Sequence, residues 1–210
     1  SSIQGAAFTS VRFDGVMHEF STIPGVIEDV AEIVLALKEV RLKYYANHPK
    51  TIKVEIKGQK EFKAADLQVD PDIEILNPEH HIASLNDSAV LKMELEVDVG
   101  RGYVSAEMNK KPEQPIGTIA IDSLFSPILK VNYVVENVRV GQRTDYDKLI
   151  IEIWTDGSIL PDDALAQAAK IIKEHLQIFI NFKEEPIEEV KEEVDEETKR
   201  IRNLLNMSVK

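Results

Sequence analysis

The chain has 210 residues, of which 43% are hydrophobic and 30% are charged, a globular balance with enough length for one or two domains. It contains no cysteine, which excludes disulfide frameworks, thiolate metal sites and cysteine nucleophiles. The formal net charge of −12 argues against strong nucleic-acid binding by the chain as a whole, and no apolar run approaches the roughly 20 residues of a membrane-spanning helix.

The first predicted elements are a strand, a turn and a helix. Apolar residues among polar neighbours over residues 8–13 indicate a strand, and Asp14 and Gly15 predict a turn from which residues 16–20 return as a partner strand. Residues 24–38 carry apolar side chains at helical spacing and acidic residues near their start. They therefore predict an amphipathic helix.

The middle of the chain is typical of half-exposed antiparallel strands. Apolar and polar residues alternate over residues 51–57 and 88–99, and shorter strands are predicted over residues 73–76 and 81–85. Residues 106–115 are polar and contain two prolines, which predicts a loop. Three further segments have the composition of strands: residues 116–122, 128–140 and 148–155.

The last predicted element is a helix over residues 161–182. Pro161 suits the first helical position, and Asp162 and Asp163 suit the positive end of the helix dipole. One apolar stripe of this helix consists of Leu165, Ala168, Ile172, Leu176 and Phe179. Residues 184–197 then contain nine acidic residues and one lysine, which predicts a solvated linker.

Candidate catalytic or metal-binding patterns are few. None of the histidines has the spacing of a zinc motif, and the adjacent His80 and His81 would face opposite sides of a strand. Residues 100–102 (Gly-Arg-Gly) lack the rest of a phosphate-binding loop and indicate a tight turn after a strand. Asp145 and Asp147 have the Asp-x-Asp spacing of a divalent-metal clamp, but their basic neighbours also fit a charged turn between strands.

Three strings carry more specific information than these patterns. They are VRFDGVMHEFSTIPGVIEDVAEIVLALKEV from residue 11, GRGYV from residue 100 and IDSLFSPILKVNYVVENVRVGQRTDYDKLIIEIWTDGSI from residue 121. Taken together, they resemble the bacterial and plastid RNA polymerase alpha subunit family over about residues 1–182. The matching positions of the first string are Asp14, Gly15, Val16, His18, Glu19, Gly25, Val26, Glu28, Asp29, Leu37 and Lys38. Those of the third string are Ser126, Pro127, Val131, Tyr133, Val135, Glu136, Val140, Arg143, Thr144, Asp145, Asp147, Lys148 and Leu149.

The resemblance implies an α+β fold with two lobes. Residues 4–126 would form an inserted, mostly antiparallel β lobe, and residues 127–182 with residues 1–3 would form the returning half of a helix-on-sheet dimerisation lobe. Residues 183–210 would be an acidic flexible linker toward a carboxy-terminal domain that is absent here. The family places strands and a long helix before the residues that match Ser1 and Ser2, so the chain is expected to be truncated at both ends.

The resemblance also implies a function. The chain would be a non-catalytic assembly scaffold of DNA-directed RNA polymerase, a nucleotidyltransferase complex of the bacterial cytoplasm or, alternatively, the plastid stroma. Its partners would be a second alpha subunit and the beta and beta-prime subunits, with no cofactor and no membrane contact. Two other classes remain open: a small divalent-metal-dependent enzyme that uses Asp145 and Asp147, and a stand-alone acidic binding module.

By the same resemblance, three sets of residues are expected at interfaces. The beta-subunit interface would include His18, Glu19, Phe20, Glu28 and Asp29. The beta-prime-subunit interface would include Arg143, Asp145, Asp147 and Lys148. The dimer interface would include the stripe Leu165, Ala168, Ile172, Leu176 and Phe179.

Overall fold

The fold is α+β, as the sequence predicts, and twelve strands and three helices are assigned within the described part of the chain. The structure is a computed structural model that describes residues 2–58, 60–140 and 143–180, without the side chains of residues 60, 138–140 and 143–146. The strands are β1 (Gln4–Phe13), β2 (Leu42–Tyr44), β3 (Lys50–Lys57), β4 (Lys60–Lys63), β5 (Ile73–Ile75), β6 (His81–Leu85), β7 (Val90–Arg101), β8 (Tyr103–Val104), β9 (Thr118–Ala120), β10 (Ser123–Leu124), β11 (Ile128–Val140) and β12 (Arg143–Thr155). The helices are α1 (Val30–Lys38), α2 (Ala106–Asn109) and α3 (Pro161–Leu176).

An antiparallel sheet with the strand order β3-β7-β1-β9 organises the first 126 residues. The predicted alternation of β3 and β7 is confirmed, because Ile52, Val54 and Ile56 are buried on one face while the intervening residues face solvent. Helix α1 covers the buried face with Val30, Ile33 and Leu37. Among the described side chains, the resulting buried cluster extends from Phe8 to Ile121.

The strand predicted over residues 16–20 is wrong. Asp14 and Gly15 do form a turn, with Gly15 at φ +77°, but the amide of Asp14 donates to the carbonyl of Lys92 on β7 at 3.0 Å. The distant strand β7 therefore pairs with β1 along its length, and residues 16–20 leave the sheet as a loop. Local turn signals cannot reveal a partner that lies about 80 residues away in the chain.

Helix α1 begins later than predicted. Asp29 caps it by accepting from the amide of Glu32 at 2.8 Å, and the Glu32 carboxylate accepts from the amide of Asp29 at 3.1 Å. Residues 24–29 instead form turns, because Gly25 has φ +82° and Val26 pairs as a β-bridge with Leu85. The apolar spacing that predicts the helix therefore continues into a segment whose backbone is hydrogen-bonded to β6 instead of being helical.

Strands β11 and β12 pair along their length as an antiparallel two-stranded sheet. The pairing places Val131 opposite Ile153, Tyr133 opposite Ile151 and Val135 opposite Leu149. These six side chains occupy alternate positions of the two strands, so they share one face of the pair, and five of them are more than one third exposed. Residues 145–147 lie within β12, so their expected position in a turn between strands is wrong.

The chain divides into compact units of residues 1–171 and residues 172–210. Helix α3 begins at Pro161 as predicted, with Asp162 and Asp163 in its first turn, and it is followed by a 3₁₀ turn over Gln177–Phe179. The rest of the predicted helix, residues 181–182, and the predicted linker from residue 183 lie outside the described residues. Helix α2 lies within residues 106–115, which were predicted as a loop.

Candidate functional site

An open groove of about 430 Å³ lies where the loop after β1 meets α2 and β9. The loop contributes Met17, His18, Glu19 and Phe20. The opposite side consists of Ala106, Glu107, Lys110, Thr118, Ile119 and Ala120. We call these ten residues the docking groove.

Two large apolar side chains project from this groove. Phe20 is 81% exposed and Met17 is 67% exposed, although each belongs to a segment bounded by buried residues, Val16 and Ile23. An exposed aromatic beside a methionine and a charged rim is the composition expected where another protein binds. His18 and Glu19 are also exposed, and a ring nitrogen of His18 lies 3.1 Å from the hydroxyl of Ser21.

Asp122 holds the α2 side of the groove in place. Its carboxylate accepts from the ammonium of Lys38 on α1 at 2.9 Å and from the amide of Ala106 at 2.8 Å. The hydrogen bond from Lys38, together with that from Ala106, lowers the pKa of the Asp122 carboxyl. Asn109 adds side-chain hydrogen bonds to the carbonyl of Ile121 and the hydroxyl of Ser123, so the short helix is fixed at both of its ends.

Glu28 points inward from the segment that precedes α1. Its carboxylate accepts from the amide of Ser84 at 2.6 Å and from the Ser84 hydroxyl at 3.1 Å, and one oxygen lies 3.0 Å from Nε2 of His81. Burial raises the pKa of the Glu28 carboxyl, but the hydrogen bonds from Ser84 and His81 outweigh it and lower the pKa overall. Glu28 therefore connects its segment to β6.

Asp29 is engaged in the α1 cap and lies next to Glu28 rather than in the docking groove. The structure thus brings His18, Glu19 and Phe20 together in one groove. Glu28 and Asp29 lie outside the groove, where Glu28 contacts β6 and Asp29 caps α1. All five stay predictions of an interface role.

The residues expected to face beta-prime lie near the far end of the β11–β12 pair. Asp147 is exposed and pairs in register with Asn137, and the ammonium of Lys148 lies 3.8 Å from the Glu136 carboxylate. The backbone of Arg143 and Asp145 belongs to β12, but their side chains lie outside the described residues.

No cluster of three or more potential metal ligands occurs among the side chains that the structure describes. Of the pair Asp145 and Asp147, the side chain of Asp147 belongs to that set, and the metal clamp stays a prediction. His80 and His81 do take separate partners, as their positions predict: His80 contacts the carbonyl of Ala36, and His81 contacts Glu28 and Glu61.

The stripe of α3 is accessible over most of its length. Leu165 is 46% exposed, Ala168 is partly buried, and Ile172, Leu176 and Phe179 are exposed. An apolar stripe that is accessible among the described residues is the pattern of a helix that packs against another surface.

Comparison with known proteins identifies the family. The sequence model of the RNA polymerase Rpb3/RpoA insert domain matches residues 11–126, which is more than half of the chain and includes the whole docking groove. The chain belongs to this RNA polymerase alpha-subunit family. The family predicted from the three strings is therefore confirmed.

Two bacterial relatives of this alpha-family chain extend the match beyond the insert domain. The DNA-directed RNA polymerase subunit alpha of Alkaliphilus oremlandii is 53% identical over 209 residues, which cover all of this chain and 66% of that protein. The DNA-directed RNA polymerase subunit alpha of Geobacter metallireducens is 53% identical over 211 residues, which cover all of this chain and 62% of that protein. The chain thus spans about two thirds of the length of these relatives.

Sequence reasoning missed several groove residues of this alpha-family chain. Met17, Ala106, Glu107 and Lys110 were not singled out, because the residues of α2 were assigned to a loop about 90 positions away from the HEF string. Met17 directly precedes His18 in the first of the three strings, and this position beside the expected interface residues was the available signal. No helix among the described residues is long and apolar enough to span a membrane.

Proposed function

We propose that this chain is the assembly-scaffold region of a DNA-directed RNA polymerase alpha subunit. In this role it carries no catalytic residue of its own and contributes to a nucleotidyltransferase complex by docking larger subunits. The observation that carries the proposal is the exposed Phe20 and Met17 in a groove of the matched insert domain. The names of the two relatives agree with it.

The docking groove is the proposed site for the beta subunit. Its aromatic and thioether side chains supply apolar area, and His18, Glu19, Glu107 and Lys110 form a polar rim. Interfaces of this composition concentrate their binding energy in a few buried aromatic anchors. Phe20 is the side chain best placed to be such an anchor, since it is an aromatic that is almost fully accessible before binding.

The other two surfaces are proposed for the remaining subunits. The end of the β11–β12 pair, with Arg143, Asp145, Asp147 and Lys148, is the proposed beta-prime surface. The α3 stripe and the apolar face of the β11–β12 pair are the proposed contact with a second alpha subunit. The cytoplasm is the location that follows from a role in a bacterial polymerase.

The Phe20→Ala variant tests the beta-docking proposal. We expect it to weaken binding of the purified cognate beta subunit by roughly 30-fold, the effect of truncating an interface anchor. Binding would be measured by surface plasmon resonance with the complete 210-residue chain immobilised. The matched control is Tyr45→Ala, an aromatic that is 58% exposed outside the groove.

The expected result is a loss of affinity for Phe20→Ala and little change for Tyr45→Ala. Equal affinities for the parent chain and Phe20→Ala would remove the groove from the beta interface. No binding of beta by either the parent chain or the longer natural protein would contradict the scaffold function itself.

A further inference from the structure

The side of the docking groove opposite Phe20 includes an edge of the four-stranded sheet. Strand β9 is the last in the order β3-β7-β1-β9, and in the described part of the chain it pairs only with β1. Thr118, Ile119 and Ala120 all line the groove, although Ile119 is buried in the core. Because successive side chains of a strand point to opposite faces, three consecutive residues border one groove through their backbone. The groove therefore runs along the sheet edge.

The hydrogen bonds between β1 and β9 determine which backbone groups point into the groove. The amide of Ile121 donates to the carbonyl of Thr9 at 2.8 Å. In an antiparallel pair, residues that bond to the neighbouring strand alternate with residues whose N–H and C=O groups point away from it. Ile119, two positions before Ile121, therefore bonds to β1. The N–H and C=O groups of Thr118 and Ala120 point outward, along the groove side of the edge.

Three of these outward groups are available to a partner. The amide of Thr118 already donates to the carbonyl of Pro115 at 3.2 Å, and no described residue hydrogen-bonds to the others. They are the carbonyl of Thr118 and both the amide and the carbonyl of Ala120. Backbone N–H and C=O groups along a strand edge are matched by an extended peptide, which adds to the sheet as a further strand.

Both ends of this edge are bounded by other parts of the groove. At one end, a Cβ on Gly117 would lie 2.7 Å from the carbonyl oxygen of Val16, so the loop after β1 approaches the strand closely. At the other end, the side chain of Asn109 on α2 donates to the carbonyl of Ile121 at 2.7 Å. The edge between them, residues 118–120, is about 10 Å long at the rise of a β-strand. It therefore suits a short extended segment.

The two edges of the four-stranded sheet differ in how they are protected from pairing. Strand β3 at the opposite edge carries Lys50, Lys53 and Lys57, and lysines on an edge strand discourage the addition of another strand. Strand β9 has the sequence Thr-Ile-Ala, without a charged residue. Across the groove from it, Phe20 and Met17 are 81% and 67% exposed. An extended segment with an apolar side chain therefore fits the β9 edge.

We propose that the segment that occupies the docking groove is an extended strand of the beta subunit, which adds to β9. Its backbone accepts from the amide of Ala120 and donates to the carbonyls of Thr118 and Ala120, while an apolar side chain packs against Phe20. This inference rests on the proposed function and adds the mode of recognition. Backbone pairing positions the segment, and Phe20 supplies the apolar contact.

The Ala120→Pro variant tests the added strand. Proline has no amide, so it removes the outward donor without removing a bond to β1, and edge strands tolerate proline at such a position. We expect the cognate beta subunit to bind about tenfold more weakly in surface plasmon resonance, with the complete 210-residue chain immobilised.

Thr51→Pro is the matched control at the opposite edge. The amide of Gly58 donates to the carbonyl of Ala89 at 3.1 Å, so the odd-numbered residues of β3 turn their amides away from β7. Thr51 is one of these residues, and its side chain is exposed. Proline there also removes an outward amide of the same sheet, and we expect beta affinity within about twofold of the parent chain.

Amide hydrogen exchange of the parent chain tests the same contact without a substitution. Exchange would be followed by mass spectrometry with fragmentation to single residues, in the free chain and in its complex with beta. We expect the Ala120 amide to exchange at least tenfold more slowly in the complex, because it gains an acceptor there. The Gly58 amide, which is already bonded to Ala89, is the reference and should keep its rate.

The possible failures are distinguishable. Beta binding that is unaffected by Ala120→Pro, an equal loss for Thr51→Pro, or an Ala120 amide that exchanges equally fast in the complex would overturn the added strand and leave beta docking intact. Slower exchange of Ala120 that depends on the concentration of the chain alone would assign the edge to a second copy, against the choice of beta. If neither the parent chain nor the longer natural protein binds beta, the proposed function fails, and the added strand fails with it.

Discussion

At the scale of single residues, two glycines allow a phenylalanine to pack closely against one end of the four-stranded sheet. Gly5 on β1 is paired in register with Gly100 on β7, and the buried Phe125 lies over the pair. A Cβ at Gly100 would lie 2.6 Å from the Phe125 ring, and one at Gly5 would overlap the Phe125 carbonyl oxygen. The first Gly of Gly-Arg-Gly is thus required by a close approach within the strand, and only Gly102, with φ +64°, makes the turn.

Substitution of these glycines gives a prediction at this scale. We expect Gly100→Ala to lower the free energy of unfolding by about 1–3 kcal/mol, since the added methyl group overpacks the site. The Phe125→Ala background should remove most of this cost, because the obstacle at Gly100 is the ring. Gly5→Ala should remain costly in both backgrounds, because its obstacle is a backbone carbonyl.

Urea denaturation of the single and double variants measures these differences. An equal cost of Gly100→Ala with and without the Phe125 ring would show that the close approach is not what demands glycine there.

At the scale of elements, α1 shows how a cap rather than periodicity sets a helix start. The apolar spacing extends back to residue 24, but the capping box of Asp29 and Glu32 begins the helix at Val30. The segment before Asp29 is occupied by its ladder with β6. The same cap fixes the position of Glu28, which immediately precedes it.

Removal of the cap gives a prediction at this scale. We expect Asp29→Ala to lower the free energy of unfolding by about 1 kcal/mol, because the Glu32 amide loses its acceptor. Asp29→Asn should retain most of the stability, since an amide oxygen also accepts from that amide. Thermal unfolding followed by circular dichroism measures both variants.

Asp87→Ala is the matched control, an exposed aspartate in the turn before β7, and we expect a change within about 0.5 kcal/mol. A loss for Asp29→Ala no larger than that for Asp87→Ala would exclude the capping box as a determinant of stability.

At the scale of the whole molecule, the exposed apolar surfaces argue for assembly. The first 126 residues contain the buried cluster, whereas the β11–β12 pair presents Val131, Tyr133, Leu149 and Ile151 to solvent. The stripe of α3 adds Leu165 and its neighbours. Several exposed apolar side chains on both elements are the expected property of a chain that binds further copies or subunits.

Self-association of the chain is the prediction at this scale. We expect concentration-dependent dimer formation in sedimentation-velocity ultracentrifugation, weakened at least tenfold by Leu165→Lys, which places a charge on the α3 stripe. Gln167→Lys adds the same charge on the opposite side of the helix and should leave association unchanged. A parent chain that stays monomeric at every concentration, or an equal effect of both variants, would contradict the dimer surface.

The sequence by itself determined the family, the α+β class and most of the strands. Those strands follow from alternation at period two, which depends only on which side chains face the core, and Ile52, Val54 and Ile56 are an example. The string around His18 and Glu19 likewise singled out residues that line one side of the docking groove, and their role at a subunit interface stays a prediction. Such signals are local, so they can be read without knowledge of distant partners.

Only the tertiary structure decided which segments meet. Strand β1 pairs with β7 instead of forming the expected hairpin. Glu28 accepts a hydrogen bond from Ser84 on β6, and α2 forms the opposite side of the groove. Each of these contacts joins residues separated by more than 50 positions in the sequence. The stability of such a contact depends on burial and hydrogen bonds that form only as the chain folds. For that reason composition and spacing predicted the elements of this protein, while their pairing determined where its candidate docking groove lies.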